Sequence, residues 1–481
     1  MAKRDDILDR TILSLSETDH LRLRDLVEGT LITGAPGSGK TTTSGKQLAH
    51  ALLGVPNSGG LVLTAKAEET QNWIAYAKAC GREKDLIVFN AESGHCFDPL
   101  HYEWTRPGRG AGDLESIIDF FSTLVSIGKK EGVGHGHDPF WERGNEQLMR
   151  NCINLLDLGG EAISIASIDR VIKSLPTRPD EHEEATWQNQ SYCAQIIKAI
   201  KARKETLTPD QWSDLDFATQ FIFRKWPAFD ERPRSSLEMT WSGMADKFLF
   251  NPFNRLFCGG KCTFTPEMTT HEGKIVICDF PLLEYGHETG RLINVILKLI
   301  FQRAWLRRKI SESPNPVYLW QDEFQYFVTR RDNFFQQTCR GSRVAVVCLT
   351  QNILNLSEEL GEAQPGSKTK SFCGNLAIKI AHQQNEHDTS AFMADIIGKE
   401  YRYLESYNAG GGTQSHASVG GSQQLAYIIE PIEFSRLIKP DSANPLSQAI
   451  VYQSGKPFNA TKTERNPKGR NYLSVLFSRE T

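Results

Sequence analysis

The chain has 481 residues, of which 39% are hydrophobic, 23% charged and 10% aromatic. That is ordinary globular usage and excludes disordered, collagen-like and fibrous classes. A net charge of −3 and an isoelectric point near 6.5 exclude a globally basic nucleic-acid coat but leave room for a local basic channel. At about 150 residues per domain the length suggests some three domains, as a prior.

Ten cysteines are scattered along the chain, several inside apolar runs such as Cys278 and Cys348. They read as buried reduced thiols of a reducing cytoplasm. Only Cys258 and Cys262 lie close together, a weak zinc signal without a second pair. The N-terminus lacks the apolar core of a secretory signal. No window reaches about 18 uninterrupted apolar residues. The expectation is a soluble cytoplasmic protein with no intrinsic membrane span, any membrane association coming through a partner.

From the N-terminus, short β-rich runs alternate with helical ones. "TLIT" precedes the helical "KTTTSGKQLAHALLG", "GGLVLTA" precedes "TQNWIAYAKACG", and "KDLIVFN" follows. This βαβ rhythm implies a parallel sheet covered by helices. Between 111 and 255 the pattern becomes helical: Leu114, Ile117, Ile118 and Phe121 share one face, as do Leu148, Cys152 and Leu155. Thr208-Pro209-Asp210-Gln211 is a helix start. The rhythm resumes with "KIVICDF", a helix over 288–308, "PVYLWQDEF" and "RVAVVCLTQ". The expected organisation is a nucleotide-binding part over 1–110, an all-α insert over 111–255 and a second nucleotide-binding part over 256–481. A Gly/Ser loop over 408–424 is expected to be mobile. The fold class is α/β, with a parallel-centred sheet, flanking helices and an inserted helical domain.

The chemistry concentrates in Gly34-Ala35-Pro36-Gly37-Ser38-Gly39-Lys40-Thr41, which fits G-x-x-x-x-G-K-[ST]. Such a loop turns successive N–H groups toward phosphates at a helix N-terminus. Residues Gly34 to Thr42 are therefore expected to bind ATP, Lys40 reaching the β/γ-phosphates and Thr41 the Mg²⁺. An acidic partner stands at the end of another apolar strand, where Asp322 would hold Mg²⁺ through water and Glu323 would polarise the attacking water. Gln351 ends the next strand and is placed to sense the γ-phosphate. Arg340 or Arg343, at the start of that strand, is the candidate arginine supplied across a subunit interface. In the Gly-rich 128–138 segment, Lys129 and Lys130 are candidates for DNA or partner contact.

In order along the chain, these residues resemble the type IV secretion coupling proteins, the TraG/TraD-like conjugation ATPases related to the FtsK and HerA DNA pumps. The resemblance runs from about residue 20 to 460. The family's acidic-Pro-Lys-Gly-Glu motif is represented by Thr64-Ala65-Lys66-Ala67-Glu68, which keeps only the Lys and Glu. Phe97-Asp98-Pro99-Leu100, Asp138-Pro139-Phe140-Trp141, Asp322-Glu323-Phe324, Arg340 with Gln351, and Phe372-Cys373-Gly374-Asn375 continue the match. Unlike most members, this sequence shows no transmembrane helices. The resemblance implies a RecA/FtsK-like P-loop NTPase fold and an ATP- and Mg²⁺-dependent DNA translocase working as a ring, with a hexamer favoured. It also implies protein partners such as a relaxase, nuclease or secretion-channel component. The alternative is a nucleotide-regulated NTPase of a mobile-element or phage-defence system that binds a protein partner without translocating DNA.

Overall fold

The computed structural model describes residues 6–128, 139–409, 417–464 and 466–480. Two short strands near the N-terminus, β1 (Thr11–Ser14) and β2 (His20–Arg22), form an antiparallel ladder. The main sheet is built, in chain order, from β3 (Thr30–Thr33), β4 (Gly59–Leu63), β5 (Leu86–Phe89), β6 (Ile275–Cys278), β7 (Val317–Gln321), β8 (Val344–Thr350) and β9 (Ile378–Ala381). A long hairpin follows, β10 (Lys399–Ala409) with β11 (Ala417–Tyr427), and then β12 (Leu446–Gln453) and β13 (Tyr472–Ser478) complete the sheet.

The strand order is β13-β12-β9-β3-β8-β7-β4-β6-β5. β3 runs parallel to β8 and β9, β7 to β8, and β4 to β7. β12 is antiparallel to both β9 and β13. The sheet is thus mixed and mostly parallel, with an antiparallel edge. Every residue of β3, β4, β7 and β8 is buried, as a sheet with helices on both faces requires. The crossovers are helices, among them Lys46–Leu53, Ala67–Ala79 and His287–Arg307. This is the mostly parallel, helix-covered α/β sheet expected from the βαβ rhythm.

The chain divides into two compact units. One comprises the residues up to Leu86, Thr269–Ile277 and Gln302–Thr481; the other comprises Ile87–Met268 and Cys278–Phe301. The boundaries fall in β5, in β6 and inside the helices Pro266–His271 and His287–Arg307. The second unit contains the helical stretch expected at 111–255 and extends beyond it on both sides. Its core includes Ile117, Ile118, Phe121, Leu148, Cys152 and Leu155, all buried. The Thr208 start is formed as read: Thr208 Oγ1 accepts from the Gln211 N–H, and the Gln211 side chain accepts from the Thr208 N–H.

One expectation is corrected. The Gly/Ser segment 408–424 is not a loop throughout, since Asn408, Ala409 and residues 417–424 belong to β10 and β11, whose ladder pairs Ala409 with Ala417 and Lys399 with Tyr427. Residues 410–416 lie outside the described residues. Backbone pairing overrides composition here. Gly421, across from the β10 backbone, has a structural use, because a Cβ there would collide with the Tyr403 ring.

Candidate functional site: a phosphate loop facing two carboxylates

The residues that form the candidate phosphate site belong to the first unit. β3 ends at Thr33 and the phosphate loop begins at Gly34. Two turns of the loop need glycine, for Gly37 has φ +73° and Gly39 φ +92°, a left-handed region costly to residues with a Cβ. At Gly39 a Cβ would also press on Ser447 and Pro440, whereas nothing lies within 4 Å of a Cβ at Gly37. The loop hands over to a wide first turn, Thr41–Gly45, in which Gly45 N–H donates to the Lys40 carbonyl at 2.9 Å, and then to the helix Lys46–Leu53. The N–H groups of Gly37, Gly39 and Lys40 have no acceptor among the described residues. Ser38 Oγ is likewise buried without a partner. Unsatisfied donors in a cradle at a helix N-terminus fit a phosphate chain.

β7 lies two strands from β3 and ends at Gln321, which brings Asp322 and Glu323 to the same end of the sheet as the loop. Thr41 Oγ1 donates to Asp322 Oδ2 at 3.0 Å. A hydroxyl and a carboxylate facing each other from two elements are the oxygen donor set that Mg²⁺ takes, so these residues fit the ion. Glu323 has φ +50°, a left-handed backbone that is uncommon for a residue with a side chain and clusters at functional sites.

The Glu323 carboxylate is heavily engaged. Its Oε1 accepts from Lys66 Nζ at 3.2 Å and from Gln351 Nε2 at 3.1 Å, with Lys40 Nζ at 3.9 Å. Its Oε2 accepts from Gln325 Nε2 at 2.9 Å, and Gln325 Oε1 accepts in turn from Thr350 Oγ1 at 2.9 Å. Burial alone would raise this carboxyl, but Lys40, the two amides and Lys66 outweigh it and hold it below its ordinary value. Asp322 behaves oppositely: burial keeps it raised even though Lys40 pulls the other way. Glu69, also buried, is raised by burial and by the Asp322 charge, and its Oε2 accepts from the Ala65 N–H at 2.9 Å. A small cleft lined by Thr41, Glu69, Trp73, Tyr76, Trp320 and Asp322 opens beside this pair.

The fold therefore brings together Lys40, Thr41, Asp322, Glu323 and Gln351, which the sequence singled out separately. It does not bring Arg340 or Arg343 to them. Both precede β8, whereas Gln351 follows it, and a seven-residue strand is about 23 Å long. Arg340 is largely exposed and pairs with Glu28 at 3.0 Å. Arg343 donates to the Pro314 carbonyl and lies 3.7 Å from Asp6. Lys129 and Lys130 lie outside the described residues.

Several participants carried no assigned role in the sequence reading. Lys66 was noted as part of a motif and turns out to hold Glu323. Glu69, immediately after that motif, is a buried carboxylate, whereas its neighbour Glu68 is exposed. Gln325 lies two residues beyond Glu323 and was readable by proximity. His382 follows the apolar run of β9 and is fully buried against the phosphate loop. Only strand order reveals its place. Cys258 and Cys262 donate through their thiols to the carbonyls of Phe248 and Asp98, and burial pushes both up to about 12. Among the described residues no group of three or more His, Cys, Asp or Glu is arranged to hold a metal.

The fold is the P-loop NTPase architecture, and its candidate site sets a glycine-rich loop opposite two carboxylates. Residues 316–439, which include β7, Asp322, Glu323 and Gln351, match the family model described as the TraM recognition site of TraD and TraG. The fold over the whole chain is that of the bacterial conjugative coupling protein TrwB. The unbound monoclinic form of TrwBdeltaN70 superposes with a TM-score of 0.57 at 13% identity, covering 98% of this chain and 92% of the other. The complexes of TrwB with the GTP analogue GDPNP and with ADP and Mg²⁺ superpose equally well, each at 12% identity. No curated protein sequence matches significantly. No helix among the described residues is long and apolar enough to cross a membrane.

Proposed function

We propose that this protein is an ATP-hydrolysing motor that moves DNA or a nucleoprotein substrate, working as a ring of identical subunits, with a hexamer favoured. The observation that carries the proposal is the Glu323 carboxylate, held between Lys40 and Gln351 opposite a phosphate loop whose Gly37, Gly39 and Lys40 N–H groups have no acceptor among the described residues. The fold it shares with a coupling protein solved with ADP and Mg²⁺ supports the same reading.

The chemistry follows from the residues. The loop N–H groups and Lys40 bind the phosphate chain, and Thr41 with Asp322 would hold Mg²⁺, which supplies positive charge against the phosphates. Lys40 now lies near Glu323, and a phosphate drawn to Lys40 weakens that contact. Glu323 is then freer to accept a proton from the attacking water, which Gln351 helps to orient. A ring can carry a basic lumen although each subunit is nearly neutral. Residence in the cytoplasm, with any membrane association through a partner, belongs to the same proposal.

The test is ATPase activity of the purified protein with and without DNA. Hydrolysis stimulated several-fold by DNA supports the motor. Hydrolysis indifferent to DNA but altered by a relaxase, nuclease or channel component supports the second reading, a nucleotide-regulated switch that binds a protein. The match of residues 316–439 to a partner-recognition domain favours keeping that reading open.

A further inference from the structure

We infer that His382, Ser447 and the strand β12 that carries Ser447 belong to the nucleotide-binding apparatus, acting as positioning residues that aim the Gly39 N–H at a bound phosphate. This rests on the nucleotide-binding reading above and assigns it two further residues from the C-terminal part of the chain.

The geometry is a closed chain of hydrogen bonds beneath the loop. His382 begins where β9 ends, its N–H donating to the Thr33 carbonyl at 2.9 Å, so the ring sits beside the strand that feeds the loop. His382 Nε2 lies 2.7 Å from Ser44 Oγ, and Nδ1 lies 2.7 Å from Ser447 Oγ. Ser447 Oγ donates to the Ser38 carbonyl at 2.7 Å. A hydroxyl has one proton. Ser447 spends its proton on Ser38 and must accept from His382, so Nδ1 carries the ring proton. Nε2 then accepts from Ser44, whose single proton goes to the ring at 2.7 Å in preference to the Lys40 carbonyl at 3.3 Å. This tautomer satisfies both ring nitrogens of a side chain with no exposed surface. Burial, with the Lys40 charge second, pushes His382 down to about 3, so the ring stays neutral through the physiological range.

The consequence lies at the Ser38–Gly39 peptide. In a trans peptide the carbonyl and the following N–H point in opposite directions. Drawing the Ser38 carbonyl toward Ser447 therefore turns the Gly39 N–H away from β12, where it has no acceptor among the described residues. Gly39 adopts the left-handed backbone this peptide orientation uses, and Ser447 packs so closely beneath it that an added Cβ would lie 2.9 Å from the Ser447 side chain. A phosphate gains this N–H equally in the ground state and in the transition state. Losing its alignment should weaken nucleotide binding more than turnover.

The experiment measures ATP affinity by equilibrium titration, and KM and kcat separately, in the full chain. The variants are Ser447→Ala, His382→Leu, His382→Asn and the Ser447→Ala/His382→Leu double variant. Ser447→Ala and His382→Leu should each raise Kd and KM roughly tenfold while kcat stays within about twofold. His382→Asn, whose amide N–H takes the place of Nδ1–H, should recover most of the affinity. The double variant should be no weaker than the worse single one, because both cut the same chain. Wild-type affinity in Ser447→Ala, a fall in kcat with unchanged affinity, or additive losses in the double variant would each overturn the inference. If His382→Leu fails to fold, Ser447→Ala decides alone. Failure of the wild-type chain to bind ATP would instead remove the nucleotide-binding reading itself.

Discussion

Glu323 accepts hydrogen bonds through both oxygens and sits on a left-handed backbone, so its side chain is held in one place before any substrate arrives. Replacing it by Gln keeps the size but removes the charge that accepts a proton. Glu323→Gln should therefore bind ATP normally and hydrolyse it about 10²–10⁴-fold more slowly; near-normal turnover would be incompatible with its role as base. Lys40→Ala should lose ATP binding as well as hydrolysis, and a titration that still shows wild-type affinity would sink the phosphate-loop assignment. A different lysine governs stability. Lys379, on β9, is buried with its Nζ 5.6 Å from the Tyr452 ring, and burial lowers it from 10.5 to about 8. Below pH 8 the folded chain must carry this buried charge. Between pH 8 and 10.5 the folded chain has released a proton that the unfolded chain still holds, so stability rises with pH across that window. Lys379→Met should thus stabilise the protein at pH 7 by up to about 3 kcal/mol. The gain over wild type, read from urea unfolding, should shrink toward pH 10.5; a gain independent of pH would refute the cause.

At the scale of elements, the parallel strands were legible because Val, Ile and Leu run together in short stretches between helical patterns. β4 is a particular case. Its two leading glycines look like a turn in the sequence, yet both are buried in the strand. A Cβ at Gly60 would meet the Tyr318 ring at 2.5 Å and the Tyr318 carbonyl oxygen at 2.6 Å. Neither partner can withdraw, since Tyr318 pairs with Gly60 in the β4–β7 ladder. Gly60→Ala should cost about 2 kcal/mol by overpacking, seen as a lower urea midpoint with an unchanged m-value. The hairpin of β10 and β11 shows the opposite failure, for a Gly/Ser-rich composition concealed a ladder that depends on the backbone alone.

For the whole molecule, the distance along β8 decides what the arginines can do. Arg340 stands at the end of the strand remote from Gln351, beyond the reach of its own subunit's phosphate loop, and projects into solvent beside Glu28. An arginine so placed serves catalysis only by entering a neighbour's site, which is the arrangement a ring provides. Arg340→Ala should then bind ATP normally and hydrolyse it poorly. If the proposed ring forms, mixing it with Glu323→Gln should restore part of the activity, because mixed rings would contain interfaces with both groups intact. Absence of rescue, in subunits shown to exchange, would place Arg340 outside the reaction.

The phosphate loop, the carboxylate pair and the βαβ rhythm were determined locally, by glycine spacing, residue chemistry and hydrophobic period, and could be read from the sequence alone. Strand order could not. It places β9 beside β3, and β12 beside β9, by contacts remote in the chain, Thr30 with Ile378 and Ile450 with Ala381. That order alone brings His382 and Ser447 beneath the loop, and the tertiary packing alone turns Lys66 onto Glu323 and buries Glu69 rather than Glu68.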